Sequence, residues 1–173
     1  MSFNKKYDYI VVGQGLAGTL LVHDLLELNK SILIVDTTLR ASASRVAAGL
    51  INPISVRRCI PAFPDLYLKT AIKRYQELEE KLSSSFLHLK PILKLFRNED
   101  VKHLWNDKYL NEGMDIYIKS FNKKNTFPQL NDAFTSANVE PAGNLDVVKF
   151  LNDSNLSAIT CVVVWPSIVV LKA

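Results

Sequence analysis

Apolar and polar positions follow three successive patterns over the first 36 residues. Tyr9–Val12 is a continuous apolar run that ends at a glycine, which predicts a strand buried on both faces, as in a parallel sheet. A second such run, Ile32–Val35, ends at Asp36. Between the two runs, apolar residues recur at the spacing of an amphipathic helix, at Ala17, Leu21, Leu25 and Leu28. Strand, helix and strand in this order predict an α/β fold with a Rossmann-like βαβ unit.

Prolines at positions 53, 61 and 64 mark a departure from this unit, so we place a boundary near residue 60. Helical spacing then predicts a long helix in which Asp65 is the N-cap. A partly alternating apolar segment predicts a strand with an edge or bend at Pro91. The predicted elements are helices over 65–82, 98–109 and 146–151, strands over 86–96 and 114–121, and loops or a weak hairpin over 122–142.

Composition narrows the class of protein. With 173 residues, 48% of them hydrophobic and 22% charged, the chain is long and apolar enough for a globular core. The net charge of +4 is spread along the chain, which suits anionic ligands but gives no reason to expect nucleic-acid binding. Cys59 and Cys161 form no metal-binding pattern, so no metal site is predicted and a reducing, cytoplasmic setting is favoured. The apolar run over 159–171 contains Pro166 and is too short to span a membrane.

The chemistry-bearing motif is a GxGxxG sequence directly after the first strand. Gly13 permits a tight turn, Gly15 leaves the backbone open to a diphosphate, and Gly18 lets helix and strand pack closely. Helix amides then hold the diphosphate, while Asp36 accepts hydrogen bonds from a ribose hydroxyl. The predicted site consists of Gly13, Gly15, Leu16, Ala17, Gly18, Asp36 and Thr37.

The motif leaves the choice of dinucleotide open. Asp36 would repel a 2′-phosphate and so disfavours NADP, although Arg40 lies nearby in the sequence. FAD and NAD share an ADP half and therefore the same contacts.

The next segment is rich in small residues and runs Ser-Ala-Ser-Arg-Val-Ala-Ala-Gly-Leu-Ile-Asn-Pro over 42–53. Following the glycine motif and Asp36, it resembles the D-amino-acid oxidase and glycine oxidase family of FAD-dependent oxidoreductases. The resemblance implies that Ser42 and Ser44 donate hydrogen bonds to phosphate and that Arg45 lies near the diphosphate or flavin. It further implies that the backbone approaches the flavin ring closely at Ala47, Ala48 and Gly49.

This resemblance implies a flavoprotein that oxidises a C–H bond next to an amine, as in an amino acid, by hydride transfer to FAD. No catalytic residue can be named from the sequence. The expected layout is a βαβ unit for the ADP half of FAD over 1–60, the helical and β beginning of an α+β substrate domain over 61–142, and an incomplete return segment over 143–173.

Members of that family are considerably longer, and residues 157–173 resemble none of their later parts. We therefore expect the amino-terminal portion of such an enzyme, in the form of a truncated or frameshifted fragment that has only two certain strands of the dinucleotide fold. Three alternatives remain: an NAD-dependent dehydrogenase, a flavin enzyme that acts on a modified tRNA base, and a nucleotide-binding fragment without activity.

Overall fold

The structure is a computed structural model that describes residues 6–36, 42–55, 57–124, 126–130, 134–154, 156 and 160–162. The helices are α1 (Leu16–Glu27), α2 (Asp65–Leu82), α3 (Glu99–Asn111) and α4 (Val147–Asp153). The strands are β1 (Tyr9–Val12), β2 (Ile32–Asp36), β3 (Leu50–Ile51), β4 (Ile54–Ser55), β5 (Ile60–Pro61), β6 (Leu87–Leu89), β7 (Ile92–Leu95), β8 (Ile118–Asn122), β9 (Ser136–Val139), β10 (Gly143–Leu145) and β11 (Thr160–Val162).

The chain forms two compact units. The first combines the residues up to Ala48 with those from Asp146 onward, and the second is the continuous stretch Gly49–Leu145. The sequence predicted domain boundaries near residues 60 and 142. As boundaries between functional domains, these positions stay predictions.

The sheet of the first unit contains the predicted βαβ arrangement. β1 and β2 pair in parallel, with Tyr9 opposite Ile32 and Val12 opposite Val35. On its other side, β2 pairs in parallel with β11, which gives the strand order β1-β2-β11. The sequence identified only two certain strands of this sheet, and the structure adds β11 to them. The third strand comes from the carboxyl-terminal apolar run, whose role no local motif revealed.

The prediction that β1 is buried on both faces is wrong for the residues that the structure describes. Val11 is buried, but the exposed fractions of Ile10 and Val12 are 63% and 80%. Ile10 and Val12 alternate with Val11 along the strand, so their side chains lie on the opposite face of the sheet, which the described residues leave open to solvent. The inward side of β1 joins a core of residues from α1, β2 and the chain after α4: Val11, Val22, Leu25, Ile32, Ile34 and Leu156.

The predicted apolar stripe of α1 is also wrong in its orientation. Leu25 is buried, but Leu21 and Leu28 are exposed. The buried side carries Thr19, Val22 and His23 instead. Because α1 carries leucines on more than one side, the helical spacing alone could not identify the covered face. Together, the exposed side of α1 and β1 line an open apolar groove.

The second unit is built around an antiparallel sheet in the order β7-β9-β8. Its core contains the fully covered side chains of Trp105 and Phe96, whose ring centroids lie 5.8 Å apart. The predicted helix over 65–82 is confirmed, and Leu68 and Leu78 on its predicted face are buried. Its N-cap, however, is Pro64, and Asp65 is the first helical residue.

Two other strand assignments differ from the expectation, and a third segment has more strand than was predicted for it. The predicted strand over 86–96 is two strands, β6 and β7, which belong to different sheets on either side of Pro91. The predicted strand over 114–121 begins with a single 3₁₀ turn at 114–116. The segment over 122–142, predicted to form loops or a weak hairpin, contains β9, which pairs antiparallel with β8 and is the central strand of its sheet. β9 is short and carries Ser136 and Asn138, so its sequence lacks an apolar run.

Candidate dinucleotide-binding site

The glycine motif forms a tight turn between β1 and α1. Gly13 has φ of +94°, in the left-handed region that favours glycine. Its N–H donates to the carbonyl oxygen of Val35 at 2.8 Å, which ties the turn to β2. The turn is therefore fixed at the carboxyl end of the parallel strands, where ligands of such sheets bind.

Gly18 brings α1 against this turn. A Cβ atom at Gly18 would collide with the backbone carbonyl oxygen of Gly13. The absence of a side chain therefore permits the close contact between helix and strand that the motif predicts.

Ser44 lies at the amino-terminal end of α1. The N–H of Leu16, the first residue of the helix, donates to Ser44 Oγ at 3.1 Å. A Cβ atom at Gly15 would lie 2.6 Å from the same oxygen. The structure thus places Ser44 against Gly15 and Leu16. Leu16 and Ser44, which share the hydrogen bond, are 28 positions apart in the sequence.

The segment around Ser44 is a compact turn. The N–H of Arg45 donates to the carbonyl oxygen of Ser42 at 3.0 Å and lies 3.3 Å from Ser42 Oγ. The N–H of Ala47 donates to the carbonyl oxygen of Ser44 at 3.3 Å. Arg45 Nη1 donates to Asn152 Oδ1 at 3.0 Å. Sequence reasoning missed Asn152, since nothing local connects it to a residue 107 positions earlier.

The remaining predicted site residues are placed less completely. Asp36 is the last residue of β2, where its Cα pairs with that of Val162. Thr37, like Arg40, lies outside the described residues. Ala48 ends the first unit and Gly49, with φ of +65°, begins the second. Their predicted closeness to a flavin stays a prediction.

The residues present fit the diphosphate of a dinucleotide. Amides in the first turn of a helix have no acceptor within the helix, and the positive end of the helix dipole attracts an anion. The Ser44 hydroxyl accepts from Leu16 and still has its own O–H to donate. Since Gly15 adds no side chain, the Ser44 hydroxyl has room beside the start of the helix, close to these amides.

Comparisons by sequence give no relative, since no family model and no curated protein matches the chain. Solved structures do match. Glycine oxidase from Geobacillus kaustophilus has a TM-score of 0.68 and 21% identity over 91% of this chain and 46% of its own. Glycine oxidase from Bacillus cereus has a TM-score of 0.66 and 23% identity over 88% of this chain and 45% of its own. Over the matched residues, the chain shares the fold of glycine oxidase.

A third match extends the comparison beyond glycine oxidase. L-amino acid deaminase from Proteus vulgaris has a TM-score of 0.62 and 18% identity over 89% of this chain and 39% of its own. At the level of the fold, these matches confirm the predicted α/β class and the predicted family resemblance. The chain spans less than half the length of glycine oxidase or the deaminase.

Membrane association was not expected from the sequence. In the part of the chain that the structure describes, no helix combines the length and apolar character needed to cross a bilayer. The cytoplasmic location stays a prediction.

Proposed function

We propose that this chain holds the ADP half of FAD and corresponds to the amino-terminal portion of a flavin-dependent oxidoreductase that acts on amino acids or related amines. The observation that carries the proposal is the Ser44 hydroxyl at the start of α1, hydrogen-bonded to Leu16 N–H at 3.1 Å. This hydrogen bond joins the small-residue segment to the glycine motif at the start of the helix, where backbone amides and the helix dipole attract a diphosphate most strongly.

The fold likeness supports this proposal, since glycine oxidase and L-amino acid deaminase share the arrangement of the chain. The sequence resemblance to an FAD-dependent family points in the same direction. In combination, these arguments favour FAD over NAD, which the glycine motif alone cannot do.

Each part of the site has a role in this proposal. Backbone amides at the start of α1 and the hydroxyls of Ser42 and Ser44 bind the diphosphate, while Asp36 binds the ribose of the ADP half. Arg45 adds a positive charge beside the diphosphate. Bound FAD would supply the electron-accepting chemistry by taking a hydride from the C–H bond next to the amine.

The proposal is tested by titrating the purified chain with FAD and recording the visible spectrum and flavin fluorescence. We expect saturable binding with a changed flavin spectrum. Gly15→Val should abolish it, since the branched side chain would meet Ser44 Oγ and fill the diphosphate space. Leu21→Val is the matched control, because this residue lies on the exposed side of α1 and its variant should bind normally.

An NAD-dependent dehydrogenase is the alternative that the same titration separates. Saturable enhancement of NADH fluorescence, with no response to FAD, would favour that alternative and contradict the flavin proposal. Equal FAD affinity of wild type and Gly15→Val would contradict the placement of the cofactor at α1.

A further inference from the structure

The turn around Ser44 is attached to two helices of the first unit. Ser44 Oγ accepts from Leu16 N–H at the start of α1. The next residue, Arg45, donates from its guanidinium to Asn152 Oδ1, on the last turn of α4. Adjacent residues of the turn therefore contact both helices, and the Arg45 guanidinium is held by Asn152.

α4 is a fixed support for this contact. Its N-cap, Asp146, accepts from Lys149 N–H at 2.9 Å, and the Phe150 side chain is fully buried. The Phe150 ring lies 6.4 Å from that of His23 in α1, between ring centroids. Asn152 itself is exposed, so its amide contributes to the surface near Arg45 rather than to the core.

The chemistry of Asn152 suits a group that directs a cation without cancelling its charge. A carboxylate at this position would hold the guanidinium but neutralise much of its attraction for an anion. An amide oxygen accepts the hydrogen bond and leaves the full positive charge. It also reduces the conformational freedom that the long Arg45 side chain would lose on binding a ligand.

We infer that Asn152 is a positioning residue, which orients the Arg45 guanidinium toward the diphosphate of the bound dinucleotide. This inference rests on the proposed function, since it assumes that a diphosphate binds at the start of α1. It assigns the segment after residue 145 an indirect part in cofactor binding, through a residue that contacts Arg45 and no phosphate.

The test measures the dissociation constants of ADP and adenosine by calorimetry, for the full chain and its variants. Asn152→Ala should weaken ADP binding by roughly 5-fold, the effect of one ordinary hydrogen bond, and leave adenosine binding unchanged. Asn152→Asp should also weaken ADP binding, because its carboxylate offsets the charge of Arg45. Val148→Ala, at an exposed position of the same helix, is the matched control and should bind like wild type.

A double-mutant cycle identifies the route of the effect. In an Arg45→Ala background, Asn152→Ala should cause no further loss of ADP affinity. An equal loss in both backgrounds, an equal loss for ADP and adenosine, or no loss at all would overturn the inference while leaving the proposed function intact. Failure of the wild-type chain to bind ADP or FAD would overturn both.

Discussion

The carbonyl oxygen of Gly13 occupies the place where a side chain of Gly18 would begin. The contact packs the first turn of α1 directly against the end of β1, with no space left for a side chain at Gly18. Gly18 is therefore constrained by packing, whereas Gly13 is constrained by its backbone conformation. The two glycines support one close approach in two different ways.

This contact predicts that Gly18→Ala is strongly destabilising. The added methyl group has no free space, so helix and strand must separate, and we expect a loss of at least about 2 kcal/mol in the free energy of unfolding. Denaturant unfolding measures the loss. Gly113→Ala is the comparison, because nothing lies within 4 Å of a Cβ there and only its φ of +67° opposes a side chain. Its expected cost is smaller, about 1 kcal/mol. Equal costs would contradict the packing explanation.

The link between Ser44 and α1 predicts a stability effect that needs no cofactor. Ser44→Ala removes the acceptor of the Leu16 N–H, so the free energy of unfolding should fall by about 1 kcal/mol. Ser42→Ala should cost less, since Ser42 Oγ makes a longer bond, 3.3 Å, to an N–H in its own turn. Thermal unfolding of both variants without added nucleotide provides the measurement. A larger loss of stability for Ser42→Ala than for Ser44→Ala would show that the hydrogen bonds within the turn stabilise the chain more than the hydrogen bond from Leu16 to Ser44 does.

Local signals predicted the parts of the fold that depend on neighbours in sequence. The βαβ unit and the helices predicted over 65–82 and 98–109 follow from periodicity, and in the structure Asn98 Oδ1 accepts from Val101 N–H at the start of the second of these helices. The central place of β9 and the pairing of β11 could not be predicted in this way. β9 pairs with its neighbour β8, as a hairpin does, but also with the more distant β7, and β11 pairs with β2, which lies far away in the chain.

The candidate site divides along the same line. The glycine motif can be recognised from the sequence alone, because each glycine is required by a local backbone conformation or close contact. The closeness of Ser44 to α1 came only from resemblance to a family, and the contact of Arg45 with Asn152 came from neither source. Both contacts depend on how segments distant in the sequence pack together, and neither composition nor residue spacing indicates that packing.

Glu79 predicts a stability effect in the second unit. Its Oε1 accepts from the N–H groups of Phe86 and Leu87, at 2.6 and 2.7 Å, and so fixes the chain between α2 and β6. Glu79→Ala leaves both donors without this acceptor and should cost about 2 to 3 kcal/mol in the free energy of unfolding. Glu79→Gln keeps an acceptor and should cost less. Glu80→Ala, at an exposed position, is the control for the loss of charge, and a similar loss there would contradict the account.

Cys59 predicts a pH-dependent reactivity. Its side chain is fully buried, and this burial raises the pKa of the thiol to about 11. In a Cys161→Ser background at pH 8, alkylation by iodoacetamide should be at least about 100-fold slower in the native chain than in the unfolded chain. A native rate close to the unfolded rate would contradict the burial of this thiol.

The same raised pKa predicts the pH dependence of stability. Since the native pKa lies above the unfolded value of about 8.5, the neutral thiol favours the folded state. Its contribution is complete below the unfolded pKa and is lost as the pH rises through about 11. Cys59→Ala should therefore reduce the dependence of stability on pH between these values, as measured by denaturant unfolding.

The first unit is discontinuous in sequence, and this has a consequence during translation. α4 and β11 lie after Leu145, whereas the second unit occupies the uninterrupted stretch before them. A ribosome therefore completes the entire second unit before it synthesises β11, which is one of the two strands that pair with β2. The first unit, although its synthesis begins first, therefore receives the described strand β11 only after the second unit is complete.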